Sequence, residues 1–222
     1  MKMSEPKFRI LLTILVSAII VGSVFLILLN SNSDIHVSSQ TVSVSASGPS
    51  SLQLILKTSG SHVQYGKNIT ISLEVYNPGF STVNVSANTN LWNNYSKMGF
   101  STGPCGNKPY GILIVRGNYS LYNMSSVTAL PFYSPGIYFC PVFSEVNYYN
   151  FSPHSSNATM SGPNGGVLNG EITSFHFELN TSGYWTGGNN SNAQFHNYSP
   201  GIYTVFGSDG WGQISVLHFK VE

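Results

Sequence analysis

From Ile10 to Leu29 the chain runs for twenty positions without a charge, and most of them are apolar. As a helix rising ~1.5 Å per residue, such a run reaches about 30 Å, the hydrocarbon thickness of a bilayer. Lys2, Lys7 and Arg9 precede it against a lone Glu5, and no Lys or Arg comes after it until Lys57. The positive-inside rule then puts residues 1–9 in the cytoplasm, makes 10–29 a transmembrane signal anchor, and sends the rest outside the cell membrane. The rival reading is a cleaved signal peptide. Those have shorter apolar regions, about 7–15 residues, and small residues at the cleavage site. Leu28, Leu29 and Asn30 do not supply them.

Beyond the run the pattern changes twice. Residues 30–51 are rich in Ser and hold no aromatic residue. Such a tract buries too little apolar surface to offset its ordering entropy, which predicts a flexible linker. The alternation Thr41-Val42-Ser43-Val44-Ser45 leaves open a first edge strand. From residue 52 short alternating segments dominate, and they predict strands. Leu52–Leu56 is one, and Asn68–Tyr76 places Ile69, Ile71, Leu73 and Val75 on one face before the turn signal Asn77-Pro78-Gly79. Thr82–Ser86 comes next, at hairpin distance. Further segments are Ile112–Arg116, Tyr119–Tyr122, Ile137–Cys140, Ile172–Leu179, Ile202–Phe206 and Ile214–Val221, the last two joined through Ser208-Asp209-Gly210. No stretch after residue 30 keeps a 3.6-residue apolar period. Short strands separated by Gly and Pro predict an all-β sandwich or barrel for the extracellular domain, 52–222.

Two blocks sharpen this. Tyr65-Gly66 through Tyr76-Asn77 resembles the opening strands of immunoglobulin-like domains of envelope proteins, and Pro200-Gly201-Ile202-Tyr203-Thr204-Val205 resembles their last hairpin. The resemblance implies an immunoglobulin-like β-sandwich and no particular activity. There is also an internal echo: Tyr133-Ser134-Pro135-Gly136-Ile137-Tyr138 recurs as Tyr198-Ser199-Pro200-Gly201-Ile202-Tyr203. A weaker one, Phe175–Leu179 against Leu217–Val221, has a different offset. One elaborated sandwich is therefore the first reading, and two subdomains meeting near residue 143 the alternative.

Charged residues make up only 8% of the 222, with a net charge of +1. That is too sparse to neutralise phosphates, which argues against nucleic-acid binding. Polarity comes from Asn, Ser, Thr and Tyr instead. Ten N-x-S/T sequons fall outside the anchor, at Asn68, Asn84, Asn94, Asn118, Asn123, Asn150, Asn157, Asn180, Asn189 and Asn197. That is roughly twice what the composition supplies by chance. Pro200 after Ser199 weighs against Asn197. The pattern predicts a glycoprotein and resembles the style of archaeal envelope proteins. Cys105 and Cys140 are the two cysteines. On the outer side of a membrane an even count predicts a disulfide.

Candidate chemistry is thin. Gly99-Phe100-Ser101-Thr102-Gly103 matches G-x-S-x-G, but a hydrolase needs that motif on a strand-to-helix elbow, and no helical pattern comes after it. Pro135–Val142 resembles the strand leading to the copper cysteine of cupredoxins, with His154 and Met160 next in that family's order. The resemblance implies a copper set of Cys140, His154 and Met160. The long spacing to His154, the sixty-odd residues after Met160 and the competing disulfide all count against it. His176 and His218 each lie in a strand beside a Phe, which predicts partly buried structural histidines, with a shared metal site as the alternative. Glu171 and Glu178 fall on opposite faces of a strand. Aromatic residues remain: Trp92, Trp185, Trp211 and the stretch Tyr148-Tyr149-Asn150-Phe151, where Tyr148, Tyr149 and Phe151 are candidates for a surface that binds sugars or a protein partner.

The reading with most support is a non-enzymatic, membrane-anchored envelope glycoprotein whose sandwich serves adhesion or partner binding, to other envelope proteins or to glycans. It needs no cofactor. Alternatives are a cupredoxin-like copper carrier and an accessory subunit of a membrane complex, where Ala18 and Gly22 give the anchor a small-residue face.

Overall fold

The computed structural model describes residues 51–87, 90–105, 108–139, 146–162, 170–187 and 192–222, and the backbone of 42–47. The anchor expected at 10–29 and the start of the linker lie outside the described residues. No described helix is long and apolar enough to cross a membrane.

The chain is mostly β-strand, in several sheets. Strands β1 (Val42–Ser47), β2 (Gln53–Thr58), β4 (Ile69–Tyr76) and β10 (His176–Thr181) form one four-stranded sheet in the order β1-β2-β4-β10, all antiparallel. A second holds β3 (His62–Val63), β14 (Ile214–Val221), β13 (Gly201–Asp209) and β6 (Tyr110–Arg116) in the order β3-β14-β13-β6. Its β3–β14 pair is parallel and the others are antiparallel. A third sheet has the order β5-β7-β8-β9, from Val83–Ser86, Tyr148–Phe151, Asn157–Ser161 and Ile172–Ser174. A separate hairpin pairs β11 (Gly183–Thr186) with β12 (Gln194–Asn197).

Alternation in the sequence becomes alternation in burial. Along β4 every other residue is buried, from Ile69 to Val75, and β2 buries Leu54 and Leu56 in the same way. These side chains meet Ile112, Ile114, Tyr203, Val205, Leu217 and Phe219 of the second sheet in one sandwich-like core. Each fully buried Leu or Ile contributes about 1.5–3 kcal/mol. The sheets approach closely at Gly207, where a Cβ would fall 2.6 Å from Leu73 Cδ1. The third sheet joins this core through Val85, Tyr149, Phe151, Ala158 and Met160, so residues on both sides of position 143 share it.

The unbroken apolar run Tyr110–Val115 is buried on both faces. Its outer face meets a second core, in which Leu113, Val115 and Phe206 pack beneath Trp92 and Phe100. Trp92 belongs to helix α1 (Asn90–Lys97), and Met124 comes from a short 3-10 helix, Leu121–Ser126.

The sequence predicts no helix after residue 30, but α1 is there, eight residues long and too short for its apolar period to show. Tyr119–Tyr122 is not a strand: Tyr119 and Ser120 lead into the 3-10 helix, and Leu121 and Tyr122 begin it. Residues 137–139 are irregular, and Cys140 lies outside the described residues. Thr82–Ser86 does not form a hairpin with β4: β5 pairs with β7, more than sixty positions away. Ile172–Leu179 is two strands in two sheets, split at Phe175. The serine-rich tract is not wholly a linker, because β1 pairs with β2 at the edge of the first sheet.

Candidate functional site

The third sheet concentrates the residues singled out by sequence. Its rows run Ser86–Tyr148–Ser161 and Asn84–Asn150–Thr159–Ile172 across the strands. One face is apolar, with Val85, Tyr149, Phe151, Ala158 and Met160 turned into the core. The other presents amides and hydroxyls, with Tyr148 47% exposed and Ile172 68% exposed. No charged side chain belongs to these two rows.

The expected surface of Tyr148, Tyr149 and Phe151 therefore does not exist as a unit. Strand alternation leaves Tyr148 outside, while Tyr149 and Phe151 are buried. The buried pair builds a structural cluster around Phe175. Phe175 lies 4.6 Å from Phe151, 4.9 Å from Tyr149, 5.1 Å from Tyr110 and 5.9 Å from Trp211, centroid to centroid. Its N–H donates to the Ser156 carbonyl (2.8 Å) and its own carbonyl accepts from the Val75 N–H (3.0 Å), so this residue carries the chain from the third sheet into the first. Trp211 Nε1 donates to the Ser86 carbonyl at 2.9 Å, tying the last hairpin to β5.

Sequon asparagines are spread over the whole domain. Asn68, Asn84, Asn94, Asn118, Asn123, Asn157, Asn180 and Asn197 are exposed, Asn150 is half-buried, and Asn189 lies outside the described residues. They stand on strands, on α1, on the 3-10 helix and in loops, so no single element accounts for the exposure.

Cys105 is disulfide-bonded, and no described cysteine is free. Cys140 lies outside the described residues. Of the cupredoxin-like set, His154 sits in the β7–β8 turn with its ring 4.6 Å from Phe80, and Met160 points inward from β8. His154 is exposed in its turn, whereas Met160 is on the core face of β8. His176 in the first sheet and His218 in the second are both exposed rather than partly buried, and His218 Nε2 is 2.9 Å from the Tyr119 carbonyl oxygen. Among the described residues no three His, Cys, Asp or Glu side chains group to hold a metal. Ser101 of the G-x-S-x-G match is buried and bonds the backbone of Gly103 in its own turn, donating to the carbonyl and accepting from the N–H at 2.9 Å. Helix α1 lies before that motif in the chain, not after it.

Two features have no counterpart in the sequence reading. Asp209 is fully buried at the end of β13, where Oδ1 accepts the N–H groups of Trp211 (2.9 Å) and Gln213 (3.0 Å). Desolvation outweighs those bonds and pushes its carboxyl up to about 6. The hairpin β11–β12 sets Trp185 against Phe195, centroids 5.4 Å apart, with Phe195 44% exposed. In sequence only the pairs Tyr184-Trp185 and Phe195-His196 signal it, and glycines and asparagines between them obscure it.

No protein-family model matches the chain, and no curated protein does.

Proposed function

We propose that this chain is a membrane-anchored, N-glycosylated extracellular envelope protein, without enzymatic activity, whose immunoglobulin-like sandwich serves adhesion or partner binding. The observation that carries the reading is the placement of the sequons. Eight of the nine described sequon asparagines are exposed, on every kind of element, as a glycan-coated surface requires. Neutral polar side chains and sugars would keep a domain with 8% charged residues soluble.

The strand orders support the immunoglobulin-like reading. β2-β4-β10 corresponds to strands A, B and E of that fold, and β14-β13-β6 to G, F and C. Tyr203 near the start of β13 donates from its hydroxyl to the Ser199 carbonyl, as the tyrosine corner of such domains does. On this reading the third sheet is an insertion, built from segments between B and C and between C and E. A bridge from Cys105 to Cys140, the only other cysteine, belongs to the same proposal and suits an oxidising compartment.

The test is to express the full chain in an N-glycosylating host and treat intact cells with protease and with an N-glycanase. The proposal expects membrane-associated protein, cleavage of the domain from outside, and a mass drop on deglycosylation. A protected domain, or one without sugar, overturns it.

A further inference from the structure

We infer that Asn84 carries the glycan of the third sheet's outer face and that Asn150, directly opposite, is a structural amide that carries none. The inference rests on the glycosylation proposal and adds which of two facing sequons is used.

The two asparagines are cross-strand partners, with Asn84 on the edge strand β5 and Asn150 on the interior strand β7. Directly opposed residues hold their Cβ atoms about 5 Å apart. Asn84 is exposed and Asn150 half-buried. Asn84 Nδ2 donates to Asn150 Oδ1 at 2.5 Å. Asn150 Nδ2 donates in turn to Ser161 Oγ at 2.9 Å and reaches the Thr159 carbonyl at 3.5 Å.

Proton counting separates the two sites. N-glycosylation forms a bond between Nδ2 and the anomeric carbon of a lipid-phosphate-linked sugar. The bond from that carbon to the phosphate oxygen breaks, the phosphate leaves with the electron pair, and one Nδ2 proton passes to a base. A side-chain amide has two N–H donors, so the modified residue keeps one. Asn84 uses a single donor, to Asn150, and has one to give up. Asn150 uses both, to Ser161 and to Thr159 of β8, and a sugar there removes one of these bonds. An edge position also leaves room beside Asn84, whereas Asn150 has a strand on each side.

The test uses the full chain from an N-glycosylating host, with intact masses and glycopeptide mapping of wild type, Asn84→Gln and Ser152→Ala. Ser152→Ala destroys the Asn150 sequon and leaves the amide network in place. The expected result is loss of one glycan mass in Asn84→Gln and no change in Ser152→Ala. A glycan lost in Ser152→Ala, or sugar mapped to Asn150, overturns the inference. Sugar at other sequons but none at Asn84 overturns it too, while the glycoprotein reading stands. Absence of sugar from every sequon overturns both.

Discussion

The hydroxyl of Tyr203 donates to the carbonyl of Ser199, four residues upstream, at 2.9 Å, and Tyr138 makes the same bond to Ser134. The two copies of the hexapeptide Tyr-Ser-Pro-Gly-Ile-Tyr thus close the same turn in different surroundings. Tyr203 is fully buried, with its ring 5.2 Å from Phe219 and nearly parallel to it. Tyr138 is 41% exposed. The bond is therefore expected to matter only where its donor tyrosine is buried. Tyr203→Phe should cost about 1 kcal/mol, and Tyr138→Phe should stay within about 0.5 kcal/mol of wild type. Urea unfolding of both variants measures the contrast, and equal losses would remove the argument.

The echo also shows how far a short motif reaches. Six residues fix a local turn, because Pro and Gly constrain the backbone and the tyrosine reaches back within the segment. They do not fix the conformation of the residues after it. Beyond Tyr203 the chain continues as β13, because Val205 and Phe206 find opposing faces to fill. In the first copy Gly136, Ile137 and Tyr138 belong to no strand, whereas Gly201, Ile202 and Tyr203 of the second are already part of β13. Alternation marks β2, β4, β13 and β14 well, since each has one face in the core. It cannot show that β5 leaves β4 for β7, a choice made by contacts more than sixty positions away. It misses α1, whose stability comes from seating Trp92 on β6 and β13 rather than from its own length. The exposure of the sequons is legible as an excess in composition. The facing of Asn84 and Asn150 is not, because register across strands is a tertiary fact.

Asp209 gives the domain a pH dependence of definite sign. Its folded pKa of about 6 lies above the ordinary 3.8. Between those values the folded state holds a proton that the unfolded state releases. Stability therefore falls as pH rises from about 4 to about 6 and stays lower above that, by roughly 3 kcal/mol for a shift of two units. Asp209→Asn keeps an oxygen acceptor for Trp211 and Gln213 and removes the charge. It should be more stable than wild type at pH 7.5 and should flatten the profile. Urea midpoints at pH 4.5 and 7.5 decide it: a variant that loses as much as wild type over that interval would assign the effect elsewhere.

Gly111 is required by contact rather than by backbone angle. A Cβ there would lie 2.6–2.8 Å from the backbone C, O and N of Ser101. At this point Ser101 and Ile112 exchange backbone bonds of 3.0 and 2.9 Å, which hold the segment after α1 against β6. Gly111→Ala must push that segment away, and a loss of about 2–3 kcal/mol is expected. Gly66→Ala is the control. Its φ of +73° is strained for alanine, but nothing lies within 4 Å, so its cost is conformational alone, about 1 kcal/mol. Thermal unfolding of the two variants should rank them in that order, and the reverse order would contradict the contact argument.

Phe175 is where the third sheet is fastened to the first. Its ring contacts Tyr110 of β6, Tyr149 and Phe151 of β7, and Trp211 of the last hairpin, while its backbone bonds Ser156 on one side and Val75 on the other. Truncation to alanine opens a cavity among four aromatic rings that are themselves fixed by strands, so the site collapses little. A loss of about 3–5 kcal/mol is expected, a large share of a domain's usual stability. Phe175→Leu refills much of the volume and should recover more than half. The two sheets share the core, so the variant should unfold in one transition at a lower midpoint. If near-ultraviolet circular dichroism and far-ultraviolet signals separated instead, the third sheet would be melting on its own, and Phe175 would be a clasp between two units rather than the centre of one.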